Sequence, residues 1–225
     1  SPELIQATVS GVHADVGIAL DGDGDRLVMI DHLGRIADGD QLLYVIASDR
    51  KRAGTLQGPV VGTVMSNLGL EQKLQAEGVE FLRARVGDRY VLAMLKEHGG
   101  VLGGETSGHL LCLDRTTTGD GLVSALEVLA VMKRTGRPLA ELVAGMPKFP
   151  QVMINVRVRE RIDPSQSQVI QDAVRRVEKV LGSTGRVVLR ASGTEPVIRV
   201  MIEAEDEAVA SRYAGELAEV VRTAI

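Results

Sequence analysis

Residues 59–97 read PVVGTVMSNLGLEQKLQAEGVEFLRARVGDRYVLAMLKE. The apolar run Pro59–Val64 is too short for a helix and is followed by a helical stretch, Leu68–Glu77. The same unit then repeats as a strand-like Val79–Ala84 and a helical Arg89–Glu97. Strands alternating with helices predict an α/β layer with a mixed or mainly parallel sheet flanked by helices. The alternation extends outward from Val16 to about Ala144, adding strands at Val16–Leu20, Leu27–Ile30 and His109–Leu113. Further helices are expected at Gln41–Arg50 and Gly121–Arg134. In the second of these, Leu122, Ala125, Leu126, Leu129 and Met132 recur at three- and four-residue spacing and predict the buried face.

The segment Ala144-Gly145-Met146-Pro147-Lys148-Phe149-Pro150 breaks the pattern and is the natural linker. Beyond it the order becomes strand, helix, strand, strand, helix: Val152–Val158, Pro164–Leu181, Arg186–Arg190, Val197–Ala204 and Glu207–Ala224. The last helix carries Val209, Tyr213, Leu217 and Val220 on one expected face. This is a smaller α+β domain with its own core. The opening stretch, residues 1–38, holds a short helix and two strands, too little for a domain alone. It reads as the end of one whose beginning is absent, and the start Ser1-Pro2-Glu3 without methionine suggests an excised or processed piece. The expected division is therefore 1–38, 39–146 and 147–225.

Composition excludes several classes. The net charge is −4 with no basic tract, and aromatics make up 2% of the chain, so the footprint of a nucleic-acid binder is missing. Cys112 is the only cysteine, which rules out an intrachain disulfide and reads as a buried small hydrophobe. No apolar stretch is long enough to span a bilayer and no signal pattern opens the chain, so the expectation is a cytoplasmic protein without a membrane partner.

Three segments carry chemistry. In Asp21-Gly22-Asp23-Gly24-Asp25-Arg26 three carboxylates at alternate positions sit in a tight loop between two strands. All-oxygen ligation points to a hard cation, Mg²⁺ or Ca²⁺. An EF-hand would need Gly at the sixth position and Glu at the twelfth, where this chain has Arg26 and His32. A solvated Asp-Gly turn without a ligand is the competing reading. The second segment, Gly103-Gly104-Glu105-Thr106-Ser107-Gly108-His109, is a Gly-rich turn whose carboxylate and hydroxyl suit a polyol. Taken alone, an ordinary connecting turn is the simpler reading. The third, Arg190-Ala191-Ser192-Gly193-Thr194-Glu195-Pro196, offers hydroxyls and backbone N–H groups for an anion nest, with Arg190 and Arg199 adding charge. A plain Ser-Gly-Thr hairpin competes with it.

Taken in this order and spacing, the three segments resemble the α-D-phosphohexomutase family, and the resemblance runs nearly the whole chain. Within it, Val61–Asn67, Val86–Val91 and Thr116–Gly121 are most similar to the bacterial branch that acts on glucosamine phosphate. The resemblance implies four domains, of which this chain matches the end of the second, the third and the fourth. It implies that Asp21, Asp23 and Asp25 ligate Mg²⁺, that Glu105, Ser107 and His109 read the sugar, and that Arg190, Ser192, Gly193, Thr194 and Arg199 grip the phosphate not being transferred. Arg26 and Arg89 match positions lining the active cleft, with Arg26 close to the transferring phosphate. The implied reaction moves a phosphoryl group between a phosphoserine and the two ends of a phosphosugar through a 1,6-bisphosphate. The family's phosphoserine loop, Thr-x-Ser-His-Asn-Pro, does not occur in these 225 residues, so mutase turnover is not expected of them alone. A glucose- or mannose-phosphate mutase is the alternative within the family, and a non-catalytic sugar-phosphate or metal-binding module the alternative outside it. The oligomeric state is left open.

Overall fold

The computed structural model describes residues 2–159, 163–192 and 195–224, which form two compact units, 1–147 and 148–225. In the first unit, helix α1 (Pro2–Val12) precedes a hairpin of β1 (Val16–Leu20) and β2 (Leu27–Asp31), extended by the two-residue β3 (Ile36–Ala37). These make a three-stranded antiparallel sheet in the order β1-β2-β3. Helix α2 (Gly39–Arg52) starts at a full capping box, in which Asp38 accepts from the Gln41 amide and the Gln41 side chain accepts from the Asp38 amide.

The segment 59–97 folds as its alternation predicts. It gives β4 (Val60–Thr63), α3 (Leu68–Ala76), β5 (Phe81–Ala84) and α4 (Asp88–His98), with β4 and β5 parallel. Next come β6 (Leu102–Gly104), parallel to β4, and β7 (Leu110–Cys112), antiparallel to β6, giving a four-stranded sheet ordered β5-β4-β6-β7. Gly103 and Gly104, expected in a turn, are therefore strand residues. Their missing side chains make room for neighbours: a Cβ on Gly103 would lie 2.6 Å from the Val61 carbonyl oxygen.

Helix α5 (Gly121–Thr135) corrects the expected face. Leu122 and Leu126 are exposed at 59% and 56%, whereas Ala125, Val128 and Val131 are buried. The buried stripe is narrower and built from smaller residues than the large aliphatics suggested. A short α6 (Leu139–Val143) completes the unit, and Met146 still belongs to its core.

The second unit has β8 (Gln151–Arg157), a 3₁₀ turn at Pro164–Gln166, α7 (Gln168–Leu181), a second 3₁₀ turn at Gly182–Thr184, β9 (Gly185–Ala191), β10 (Val197–Ala204) and α8 (Glu207–Thr223). The sheet is antiparallel in the order β8-β10-β9. Ile170, Ala173, Val177 and Leu181 of α7 share a core with Val156, Ile198, Val200 and Ile202. Helix α8 differs from expectation by one position. Its buried face is Ala210, Ala214, Leu217, Ala218 and Val221, while Val209 is 38% exposed and Tyr213 and Val220 pack at the margin. Among the described residues no helix is long and apolar enough to cross a membrane.

Candidate active site

The hairpin β1–β2 positions the aspartate loop. Leu20 pairs with Leu27, leaving six residues to turn the chain. Gly24 takes φ +75°, a conformation that favours glycine, and its amide donates to the Asp21 carbonyl at 3.2 Å. The Arg26 amide donates to Asp21 Oδ1 at 3.1 Å. Desolvation opposes ionisation of Asp21, but that amide, the Asp25 side chain and the Arg26 guanidinium outweigh it and hold the carboxyl below its usual range. Asp21, Asp23 and Asp25 each turn one carboxylate oxygen to a common point, all within 4.8 Å of one another.

Asp25 ties this loop to the Gly-rich segment. Its Oδ2 lies 3.0 Å from Nδ1 of His109, and Arg26 and His109 form an isolated antiparallel bridge. The Leu27 amide donates to the Gly108 carbonyl at 3.0 Å. Gly108 has φ +91°, and a Cβ there would stand 2.0 Å from the Leu27 carbonyl oxygen. The start of α5 closes the other side, where the Gly121 amide donates to the Gly24 carbonyl at 2.9 Å. Thus two segments separated by about eighty residues are stitched backbone to backbone.

Within the Gly-rich turn the expected residues diverge. Ser107 is exposed and Glu105 half-buried. Glu105 Oε1 accepts from the Gly87 amide at 2.9 Å, which fixes the carboxylate and links it to the start of α4. His109 is buried, with Nε2 against Gly119, so its ring faces the aspartate loop rather than solvent. Arg89 is exposed and donates to the Tyr90 hydroxyl, while Arg85 and Arg89 both lie over the Tyr90 ring, 4.5 and 4.6 Å from its centroid.

In the second unit, Arg190 and Arg199 face each other directly across the β9–β10 ladder. Like charges in that position repel. The Nε atoms of both guanidiniums are buried without a hydrogen-bond partner among the described residues. Burial, and then Arg199, pull the Arg190 pKa below its usual value. An anion would relieve both costs. Ser192 is buried beside this pair, and its amide donates to the Val197 carbonyl at 2.7 Å. Gly193 and Thr194, expected in the same nest, lie outside the described residues.

The model of the phosphoglucomutase/phosphomannomutase alpha/beta/alpha domain III matches residues 38–149, and that of the C-terminal domain matches residues 153–220. The chain belongs to the phosphoglucomutase/phosphomannomutase family. A phosphoglucosamine mutase of Methylococcus capsulatus is 57% identical over 221 residues, covering 96% of this chain and 49% of the relative. One from Alkalilimnicola ehrlichii is 56% identical, covering 99% and 49%. The chain thus spans about half the length of the curated relatives it matches. Among solved structures, a family protein from Burkholderia thailandensis superposes with TM-score 0.80 at 26% identity, covering all of this chain and 50% of that one. An Aspergillus fumigatus N-acetylphosphoglucosamine mutase, solved with GlcNAc-6P and magnesium, shares the fold at TM-score 0.76 and 22% identity, covering 91% and 51%.

The donor set of the aspartate loop fits a hard divalent cation. All its ligand atoms are oxygens, and Asp25 Oδ1 is buried without a partner among the described residues. Asp21 and Asp23 are exposed, and Mg²⁺ would keep several waters there. Calorimetry on this chain is therefore expected to give Mg²⁺ affinity weaker than about micromolar. Tighter binding would contradict the argument.

Proposed function

We propose that this chain is the part of a phosphoglucosamine mutase that holds the metal, reads the sugar and grips a phosphate. The observation that carries the reading is the Asp25–His109 contact, which joins an all-oxygen cation cluster to a turn bearing an exposed hydroxyl and an oriented carboxylate. Relatives bearing that name at 56–57% identity support the choice of sugar, and the bound GlcNAc-6P and magnesium of the Aspergillus protein support the ligand class.

In this reading Asp21, Asp23 and Asp25 hold Mg²⁺, which when bound offsets negative charge at a transferring phosphoryl group. Arg26 adds positive charge beside that cluster, and Arg89 lines the cleft. Glu105, with Oε1 fixed by Gly87, accepts from a sugar hydroxyl through its other oxygen, and Ser107 completes the polyol contact. His109 holds the aspartate and sugar segments together. Arg190 and Arg199, with Ser192, Gly193 and Thr194, bind the phosphate that stays in place.

The test is a competition assay on the complete reading frame that contains these residues, with glucosamine, glucose and mannose 6-phosphates. Glucosamine 6-phosphate is expected to be converted with the highest kcat/KM. Equal or better conversion of glucose or mannose phosphate would replace the reading with a phosphoglucomutase/phosphomannomutase. Binding without turnover of any of the three would leave a sugar-phosphate-binding module.

A further inference from the structure

Helix α2 begins directly beneath the Glu105–His109 turn. A Cβ on Gly39 would lie 2.1 Å from the Glu105 carbonyl oxygen, so only glycine lets the helix come this close. The Gly39 amide donates to the Thr106 carbonyl at 3.1 Å. The next residue, Asp40, is fully buried. Its Oδ2 accepts from the Thr106 hydroxyl at 2.8 Å and from the Asn67 amide at 2.9 Å. Its Oδ1 is buried with no hydrogen-bond partner among the described residues. Asn67 caps α3 in the turn that follows β4, and Thr106 follows β6, the parallel neighbour of β4. One carboxylate oxygen therefore bridges two loops at the carboxyl ends of adjacent parallel strands, where open α/β sheets place their ligands.

We propose that Asp40 is a positioning residue. It clamps the Glu105–His109 turn to the Asn67 turn and thereby sets where Glu105 and Ser107 are presented to a sugar. The inference rests on the sugar-reading role given to that turn. Thr106, which lies between those two residues, turns its hydroxyl inward and serves the clamp. A buried acid is a costly way to accept two hydrogen bonds, but charge-assisted bonds are stronger than neutral ones and the first turn of a helix favours negative charge. The groups that face the carboxylate are Asp38 on its own helix and the neutral Ser66, Asn67 and Thr106. Burial pushes its pKa up to about 6, and Asp38 adds to the rise. Because the folded pKa lies above the unfolded one, the folded state binds the proton more tightly. Asp40 thus favours folding fully below about pH 4, and that contribution is lost as pH rises to about 6.

The test uses this chain with Asp40→Asn, Thr106→Val, the double substitution and Thr106→Ser, followed by amide NMR and by titration with glucosamine 6-phosphate. Each of the first two single changes is expected to shift the Glu105, Gly108 and Asn67 amides, and the double to do little more than either. Thr106→Ser keeps the hydroxyl and is expected to restore the wild-type shifts. In wild type those amides are expected to titrate near pH 6, and in Asp40→Asn to lose the transition. Affinity for glucosamine 6-phosphate is expected to fall on the order of tenfold in Thr106→Val. Unmoved turn amides in a folded Thr106→Val, or additive effects in the double, would overturn the clamp. If Asp40→Asn does not fold, the Thr106 variants decide. If wild type binds no glucosamine 6-phosphate, the sugar-reading role falls, whereas the clamp is still judged by the amide shifts.

Discussion

Gly108→Ala is expected to destabilise the first unit by about 3–5 kcal/mol in urea denaturation. Three costs add. The residue sits at φ +91°, where an L side chain is strained, and a methyl group would press to 2.0 Å of the Leu27 carbonyl oxygen. Relief of that clash would break the 3.0 Å bond from the Leu27 amide to the Gly108 carbonyl, one of the few backbone links between the aspartate hairpin and the Gly-rich turn. Gly54→Ala is the control. It has φ +68° but open space around it, so only the conformational cost of about 1–2 kcal/mol should appear. Equal losses in the two variants would show that the close approach at Gly108 contributes nothing.

Arg199→Ala is expected to weaken inorganic phosphate binding to the second unit by about 1.5–3 kcal/mol, by loss of a charge-assisted contact. Without phosphate the sign should reverse. Arg190 and Arg199 oppose each other in the ladder, so removing either guanidinium relieves a repulsion. Arg199 also makes a 4.0 Å ion pair with Glu195, but Glu195 is largely exposed and the pair is worth little. Calorimetric titration, with thermal melts in chloride and in phosphate buffer, measures both effects. Unchanged phosphate affinity in Arg199→Ala would remove the phosphate site from this strand pair.

Much of this was legible in the chain because the signals are local. The strand–helix alternation of 59–97 depends on neighbours within a few residues, and it yielded β4, α3, β5 and α4. The aspartate loop, six contiguous residues, needed only the hairpin around it. Other features were hidden for physical reasons. β6 is three residues long and two-thirds glycine, so it carried a turn signal while its backbone joined the sheet. The expected faces of α5 and α8 lie partly off the core: Leu122, Leu126 and Val209 are exposed, whereas Val128, Val131, Ala210, Ala214 and Ala218 are buried. Asp40 lies just before the expected helix Gln41–Arg50 and carries no local signal in the chain. Its meaning comes from partners 27 and 66 residues away, which no local pattern brings together.

Three of the five residues that helix α8 buries are alanines, and Ala210, Ala214 and Ala218 are each fully buried, so a larger side chain there has no open space to enter. Tolerance on this face is therefore narrow in both directions. Trimming to glycine costs about 1 kcal/mol of helix propensity and about 0.8 kcal/mol for the lost buried methyl, and each added carbon wedges the helix outward at about 1–3 kcal/mol. Sequence drift in this unit should run freely along its outer ridge and stall at three small residues that look, in the bare chain, like the most replaceable ones.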